Sequence, residues 1–129
     1  MMIGANDLPR SVRFYDAVMD ALGHPRILDG DERWPSWGKP DPNPHITIGT
    51  PFNGYPATAG NGMMVSFVAQ TRDAVVKFHA AALSNGGTDE GAPGLRPHYG
   101  PSFYSAYVRD PDGNKLNAVC YTDAAGDAA

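Results

Sequence analysis

The feature that most constrains this chain is that it resembles itself. Superposing Phe14 on Phe78 sets an offset of 64 residues, and Val12 then falls on Val76, Tyr15 on His79, Met19 on Leu83 and Gly23 on Gly87. The segments before these stretches match as well, Ile3 with Phe67 and Ala5 with Ala69. A repeat of this length in a chain of 129 residues implies one domain built from two similar units, because neither half buries enough surface to stand alone. The reading gives a first module over about residues 1–49, a linker at 50–61, a second module over about 62–122 and a flexible tail at 123–129.

Within each unit the pattern opens with a strand and a helix. Asp7 is a good N-cap, and Pro9 sits in the first turn, where a missing N–H costs nothing. Leu8, Val12, Tyr15, Met19 and Leu22 then form one apolar stripe, so a helix is expected over about 8–22, with Gly23 and Pro25 ending it. Thr71 caps a second helix through Val75, Phe78, Ala82 and Leu83, closed by Gly86-Gly87. Strands are expected at Met2–Ala5 and Met63–Val68, before the helices, and at Arg26–Asp29, Arg33–Trp37, Pro44–Gly49 and Thr88–Arg96. Lys39–Asn43 reads as a loop.

The last pair of strands, Ser102–Arg109 and Lys115–Tyr121, is joined by Asp110-Pro111-Asp112-Gly113-Asn114. Those turn residues suit a type I turn with a G1 bulge. That register sets Tyr107 opposite Asn117 and Ser105 opposite Val119. The expected fold is α+β: two βαβββ modules forming one curled mixed sheet around a central cavity, with the helices outside.

Charge and cysteine content narrow the function classes. Ten basic against fourteen acidic residues, with no basic cluster, disfavour nucleic acid and anionic membranes as partners. No apolar run is long enough to span a bilayer, and the first residues lack the pattern of a secretory signal. The single Cys120 cannot form an internal disulfide, so a soluble, cytoplasmic protein is expected.

Several residues together resemble the vicinal oxygen chelate superfamily, which includes glyoxalases, bleomycin resistance proteins and extradiol dioxygenases. They are Asn6-Asp7-Leu8, Ser11 and Phe14-Tyr15 in the first unit, Gly60-Asn61-Gly62 before the second, and Tyr107 through Lys115 near the end. The resemblance implies a divalent metal (Zn, Ni, Fe or Mn) held on the first and last strands of each module by His, Glu or Gln. Such donors bind a borderline cation while leaving positions open for substrate.

The positions this resemblance assigns carry other residues. Where the second module's first strand should hold His stands Met64, a thioether that binds such cations poorly. Its counterpart in the first module falls immediately before Met1: the ligand is missing, or the numbered chain starts one strand residue late. Asn117 stands where the last strand should carry Glu. Thr47 is the equivalent in the first module, unless a one-residue register change turns His45 inward instead. The metal site is therefore read as absent or degraded, and no cofactor is expected.

What remains is a cavity lined by Thr47, Met64, Ser66, Tyr107 and Asn117, with Arg96 and His98 at its rim. The resemblance implies that Tyr107 contacts a ligand; otherwise it fills the sheet interior with its hydroxyl bonded nearby. Arg96 either grips a carboxylate or phosphate bidentately or is a solvated surface residue. His79 is expected outside the sheet, His24 in solvent, and Cys120 buried on the face opposite Asn117. Trp34 and Trp37 cannot both point inward.

The expected function is binding of a small organic molecule, for sequestration or for chemistry that needs no bound metal. The alternative is a metal-dependent lyase, isomerase or dioxygenase whose ligands include His45 and His98. The resemblance also implies a homodimer, and a twofold pair is the commonest assembly in general.

Overall fold

The structure is a computed structural model that describes residues 1–28, 31–39 and 45–122. The expected tail at 123–129, most of the 39–43 loop and the end of the 26–29 strand lie outside the described residues. The first module runs β1 (Met2–Gly4), α1 (Leu8–Ala21), β2 (Ser36–Gly38) and β3 (His45–Gly49). The second runs β4 (Val65–Val68), α2 (Arg72–Ser84), β5 (Thr88–Leu95), β6 (Tyr104–Arg109) and β7 (Lys115–Cys120).

Both helices begin as their caps dictate. The Asp7 carboxylate accepts from the Arg10 N–H at 3.1 Å, and Thr71 Oγ1 from the Ala74 N–H at 3.1 Å. The buried face of α1 is wider than the expected stripe, because Ser11, Phe14 and Val18 are buried beside Tyr15 and Met19. The cause is that α1 has two partners, its own sheet and α2. On α2 the buried residues are Val75, Phe78 and Ala82, whereas Leu83 is exposed.

The expected single sheet is corrected to two. One is ordered β1-β3-β2 and the other β4-β7-β6-β5, and each is mixed, with its first and last strands parallel. The two outer strands, β1 and β4, are not paired to each other among the described residues. Side chains of Met1, Met2, Met63 and Met64 instead line a cleft of about 230 Å³ at their junction. In the first module the expected 26–29 strand is reduced to a single bridge between Arg26 and Trp37.

The modules are joined by side chains rather than by a continuous sheet. Tyr15, Arg10 and Ser11 of α1 reach the turn between β6 and β7, and the Asn114 amide reaches the Gly4 carbonyl. One apolar core runs through both modules, with Phe14, Val18, Trp37 and Ile48 from the first and Val75, Phe78, Val108 and Leu116 from the second.

The β6–β7 hairpin has the expected register, Tyr107 opposite Asn117 and Ser105 opposite Val119. Gly113 takes φ +90° at the bulge position, and the Asp110 N–H bonds the Asn114 carbonyl at 2.9 Å. Strand alternation then gives the second sheet two unlike faces. Val65, Phe67, Ala106, Val108, Leu116, Ala118 and Cys120 belong to the core beneath α2. Their neighbours Ser66, Tyr107, Asn117 and Val119 face the other way.

Candidate functional site

That second face carries a hollow of about 690 Å³. Of the residues expected at a cavity, Met64, Ser66, Arg96, His98, Tyr107 and Asn117 all line it. Thr47 does not. It lies on β3 in the other sheet, its hydroxyl 2.7 Å from that of Ser36, and is absent from the lining. The hollow is thus built on the second module's sheet, not between the modules.

At its floor the hydrogen-bond polarity can be followed atom by atom. The Ala118 carbonyl only accepts, so the Ser105 hydroxyl donates to it at 2.9 Å. The Ser105 oxygen then accepts from Asn117 Nδ2 at 3.2 Å. This fixes which way the Asn117 amide is turned. Its Oδ1 is left buried, with no hydrogen-bond partner among the described residues, on a side chain 1% exposed. A buried acceptor in that state costs stability until a donor reaches it.

The walls come from β5, β6 and the segment after β5. Strand β5 shifts register at Asp89/Gly91 and again at Gly91/Gly94, and this irregularity bends it around Tyr107. A Cβ at Gly91 would lie 3.0 Å from the Tyr107 ring, so glycine lets the ring rest on the strand without being displaced. The Arg96 guanidinium stands 5.5 Å from the Tyr107 ring centroid and the Lys115 ammonium 5.6 Å. Opposite lies an aromatic row in which His98 contacts Tyr99, Tyr99 contacts Phe103 and Phe103 contacts Tyr121, with centroids 4.1, 5.2 and 5.6 Å apart.

Lys115, Glu90, Tyr99, Phe103, Val119 and Tyr121 also line the hollow and were not singled out from the sequence. Lys115, Val119 and Tyr121 were within reach of it, since they share the face of Asn117 at steps of two. The aromatic row was not, because it depends on how the segment between Arg96 and Phe103 folds back.

The remaining candidates lie elsewhere. His45 borders a separate hollow of about 250 Å³ with His24, Met19 and Trp37, so it and His98 do not converge on one site. His24 is half-buried there rather than in solvent. His79 bonds Asp89 at 2.8 Å, outside the hollow. Trp37 packs in the core 5.7 Å from Tyr15 and donates to Asp16 at 2.9 Å, whereas Trp34 covers Gly49. Cys120 is a buried free thiol on the helix-facing side.

The positions that the resemblance assigns to metal ligands hold a poor donor set for a divalent cation. Met64 offers a thioether, Asn117 a single carboxamide oxygen, and Thr47 a neutral hydroxyl 2.7 Å from that of Ser36. Among the described residues no three His, Cys, Asp or Glu side chains are grouped to hold a metal. The residues present do not fit the group.

Paired mixed sheets, each opening with a strand and a helix and closing on a strand parallel to the first, define a two-module α+β protein with a hollow on its second sheet. The profile of the Glyoxalase/Bleomycin resistance protein/Dioxygenase superfamily matches residues 1–118. The chain belongs to this superfamily. A glyoxalase/bleomycin resistance protein from Albidiferax ferrireducens T118 is 41% identical and superposes with a TM-score of 0.81, over 94% of this chain and 95% of that one. A glyoxalase/bleomycin resistance protein/dioxygenase family enzyme from Burkholderia phytofirmans PsJN, 20% identical, shares the fold at a TM-score of 0.71 over 95% and 96% of the two chains. So does a lactoylglutathione lyase from Agrobacterium tumefaciens, 19% identical, at 0.59 over 93% and 90%. No curated protein matches the chain.

Proposed function

We propose that this protein binds a small organic molecule in the hollow of its second sheet, and does so without the metal of its family. The observation that carries the reading is the Asn117 amide, held by Ser105 so that Oδ1 lacks a partner at the floor of the hollow. The volume, about 690 Å³, is in the range of small-molecule sites. Met64 and Asn117, at the positions where the family carries metal ligands, support binding that is independent of a cation. The role is sequestration or metal-independent chemistry.

We also propose a homodimer. The resemblance to a family whose members commonly pair through their modules supports it, and a twofold pair is the commonest assembly in general. Light scattering on the purified chain tests this, and a monomer at micromolar concentration would count against it.

The ligand reading is tested by protein-observed NMR with a fragment set containing anions, cations and neutral compounds. Shifts confined to Ser66, Tyr107, Asn117 and Val119 are expected for at least one class. The reading fails if no fragment enters the hollow. Its metal-free part fails if protein purified without chelators carries near-stoichiometric divalent metal in the hollow. It fails equally if methylglyoxal hemithioacetal is turned over at glyoxalase-like rates with added nickel or zinc.

A further inference from the structure

We infer that the ligand is a small organic anion bearing its own hydrogen-bond donor, an aromatic or apolar acid with an O–H or N–H group. This rests on the reading of the hollow as a ligand site and narrows it to a chemical class.

The first argument is charge. Arg96 spends its donors on the backbone carbonyls of Ala92, at 2.8 Å, and Leu95, at 3.5 Å, and neither neutralises it. Lys115 forms no ion pair among the described residues; its ammonium rests over the Tyr107 ring. The one carboxylate in the lining, Glu90, is already engaged by Arg109. Two cations beside one tyrosine ring thus face a hollow whose only acid is committed elsewhere. A ring face holds a cation in place without cancelling its charge. A carboxylate would cancel it, and a cationic ligand would meet repulsion.

The second argument is hydrogen bonding. Because Ser105 fixes the amide, the unpaired atom of Asn117 is an acceptor, Oδ1, while one N–H of Nδ2 is committed to Ser105. A ligand lacking a donor would leave Oδ1 buried and unsatisfied. The third is the wall between these poles, where Phe103, Tyr99, Val119 and Met64 offer apolar surface to a ring or chain. Acid, apolar body and donor together answer what the hollow offers.

The test is an NMR titration of the full chain at low ionic strength with four probes: 4-hydroxybenzoate, its neutral amide 4-hydroxybenzamide, the donor-free 4-methoxybenzoate, and the cation tyramine. The hydroxy acid is expected to shift Tyr107, Asn117 and Val119, with each neutral or donor-free analogue about fivefold weaker and tyramine weaker still. Lys115→Gln should close the gap between acid and amide. Asn117→Leu should close the gap between hydroxy and methoxy acids. If that variant does not fold, the wild-type probe series decides alone. Binding of the amide or tyramine as tightly as the acid overturns the inference and leaves the ligand-site reading intact. Failure of all four probes, with neutral fragments still entering the hollow, does the same. Failure of every compound overturns both.

Discussion

The Tyr15 hydroxyl donates to Asp110 Oδ2 at 2.6 Å in the buried interior, tying the first module's helix to the second module's last turn. The other oxygen of Asp110 accepts from the backbone N–H groups of Asp112 and Asn114, both at 2.9 Å, and so shapes the turn itself. Asp112 takes the Arg10 guanidinium, the Ser11 hydroxyl and the Asn6 N–H, at 3.1, 3.1 and 3.2 Å. A turn whose residues are good hairpin chemistry anywhere is here also the joint between modules. It holds β6 and β7, and with them Tyr107 and Asn117, in register.

Tyr15→Phe removes one hydrogen bond to a charged group and should lower stability by about 1.5–3 kcal/mol. Asp110→Ala should cost more, because it also strands the donors of Tyr15, Asp112 and Asn114. Urea denaturation compares the two. Equal losses would mean that the turn keeps its shape without the carboxylate.

Burial, and then the charge of Asp110, raise the Tyr15 phenol well above its ordinary 10.0. Folding therefore favours the protonated phenol. Its contribution is fully present below the unfolded value and is lost as pH climbs through the higher folded one. Stability should fall as pH rises beyond 10, and Tyr15→Phe should flatten that slope while starting from a lower plateau. Thermal melts across alkaline pH read this directly. A slope unchanged in the variant would place the loss on other groups.

At Gly87 the first module's helix packs directly on the second module's backbone. A Cβ there would lie 2.7 Å from the Phe14 ring and 2.8 Å from the backbone carbonyls of Ala82 and Arg109. Two of these neighbours are backbone and cannot turn aside, so Gly87→Ala should cost about 1–3 kcal/mol, measured by denaturant titration. A neutral result would show that α1 can shift relative to β5.

Much of this was legible in the sequence, for reasons tied to particular residues. Asp7 and Thr71 announce their helices because capping is local, and the 110–114 turn fixes the pairing of Tyr107 with Asn117 because a bulge sets register. The repeat could not say whether its two units share one sheet. That depends on whether β1 and β4 meet edge to edge, a tertiary outcome; here a cleft lined by methionines lies at their junction. Thr47 was placed on the correct face of its strand, between buried Ile46 and Ile48, yet in a different sheet from the hollow. The aromatic wall and the bulges of β5 are non-local and left no periodic trace.

The outer strand β5 is held to α2 by the His79–Asp89 pair at 2.8 Å. The hydrogen bond from His79, and then that from the Gly91 N–H, hold the Asp89 carboxyl below its ordinary 3.8. A depressed carboxylate contributes stability above its unfolded value and loses it as pH falls through the lower folded one. Protection factors at Thr88–Gly91, with exchange rates corrected for their intrinsic pH dependence, should therefore fall at acid pH below about 4, earlier than in β6. Asp89→Asn should show the faster exchange already at neutral pH; identical exchange in both proteins would assign the strand's hold to its backbone ladder alone.

Ser105 decides which end of Asn117 is unpaired. In Ser105→Ala the Asn117 Nδ2 loses its acceptor and the Ala118 carbonyl its side-chain donor, so stability should fall by about 1–2 kcal/mol. The more telling change is in the amide itself. Without Ser105 no hydrogen bond to the amide among the described residues distinguishes oxygen from nitrogen, and the group can turn over within the hollow. The side-chain NH₂ resonances of Asn117, expected to be protected and distinct in the wild type, should then exchange faster and draw together. Ser105→Thr keeps the hydroxyl and should restore both protection and dispersion. Were the resonances unaltered in Ser105→Ala, the amide would be held by the cavity's shape, and the acceptor at its floor would owe nothing to the Ala118 carbonyl two bonds away in the chain of hydrogen bonds.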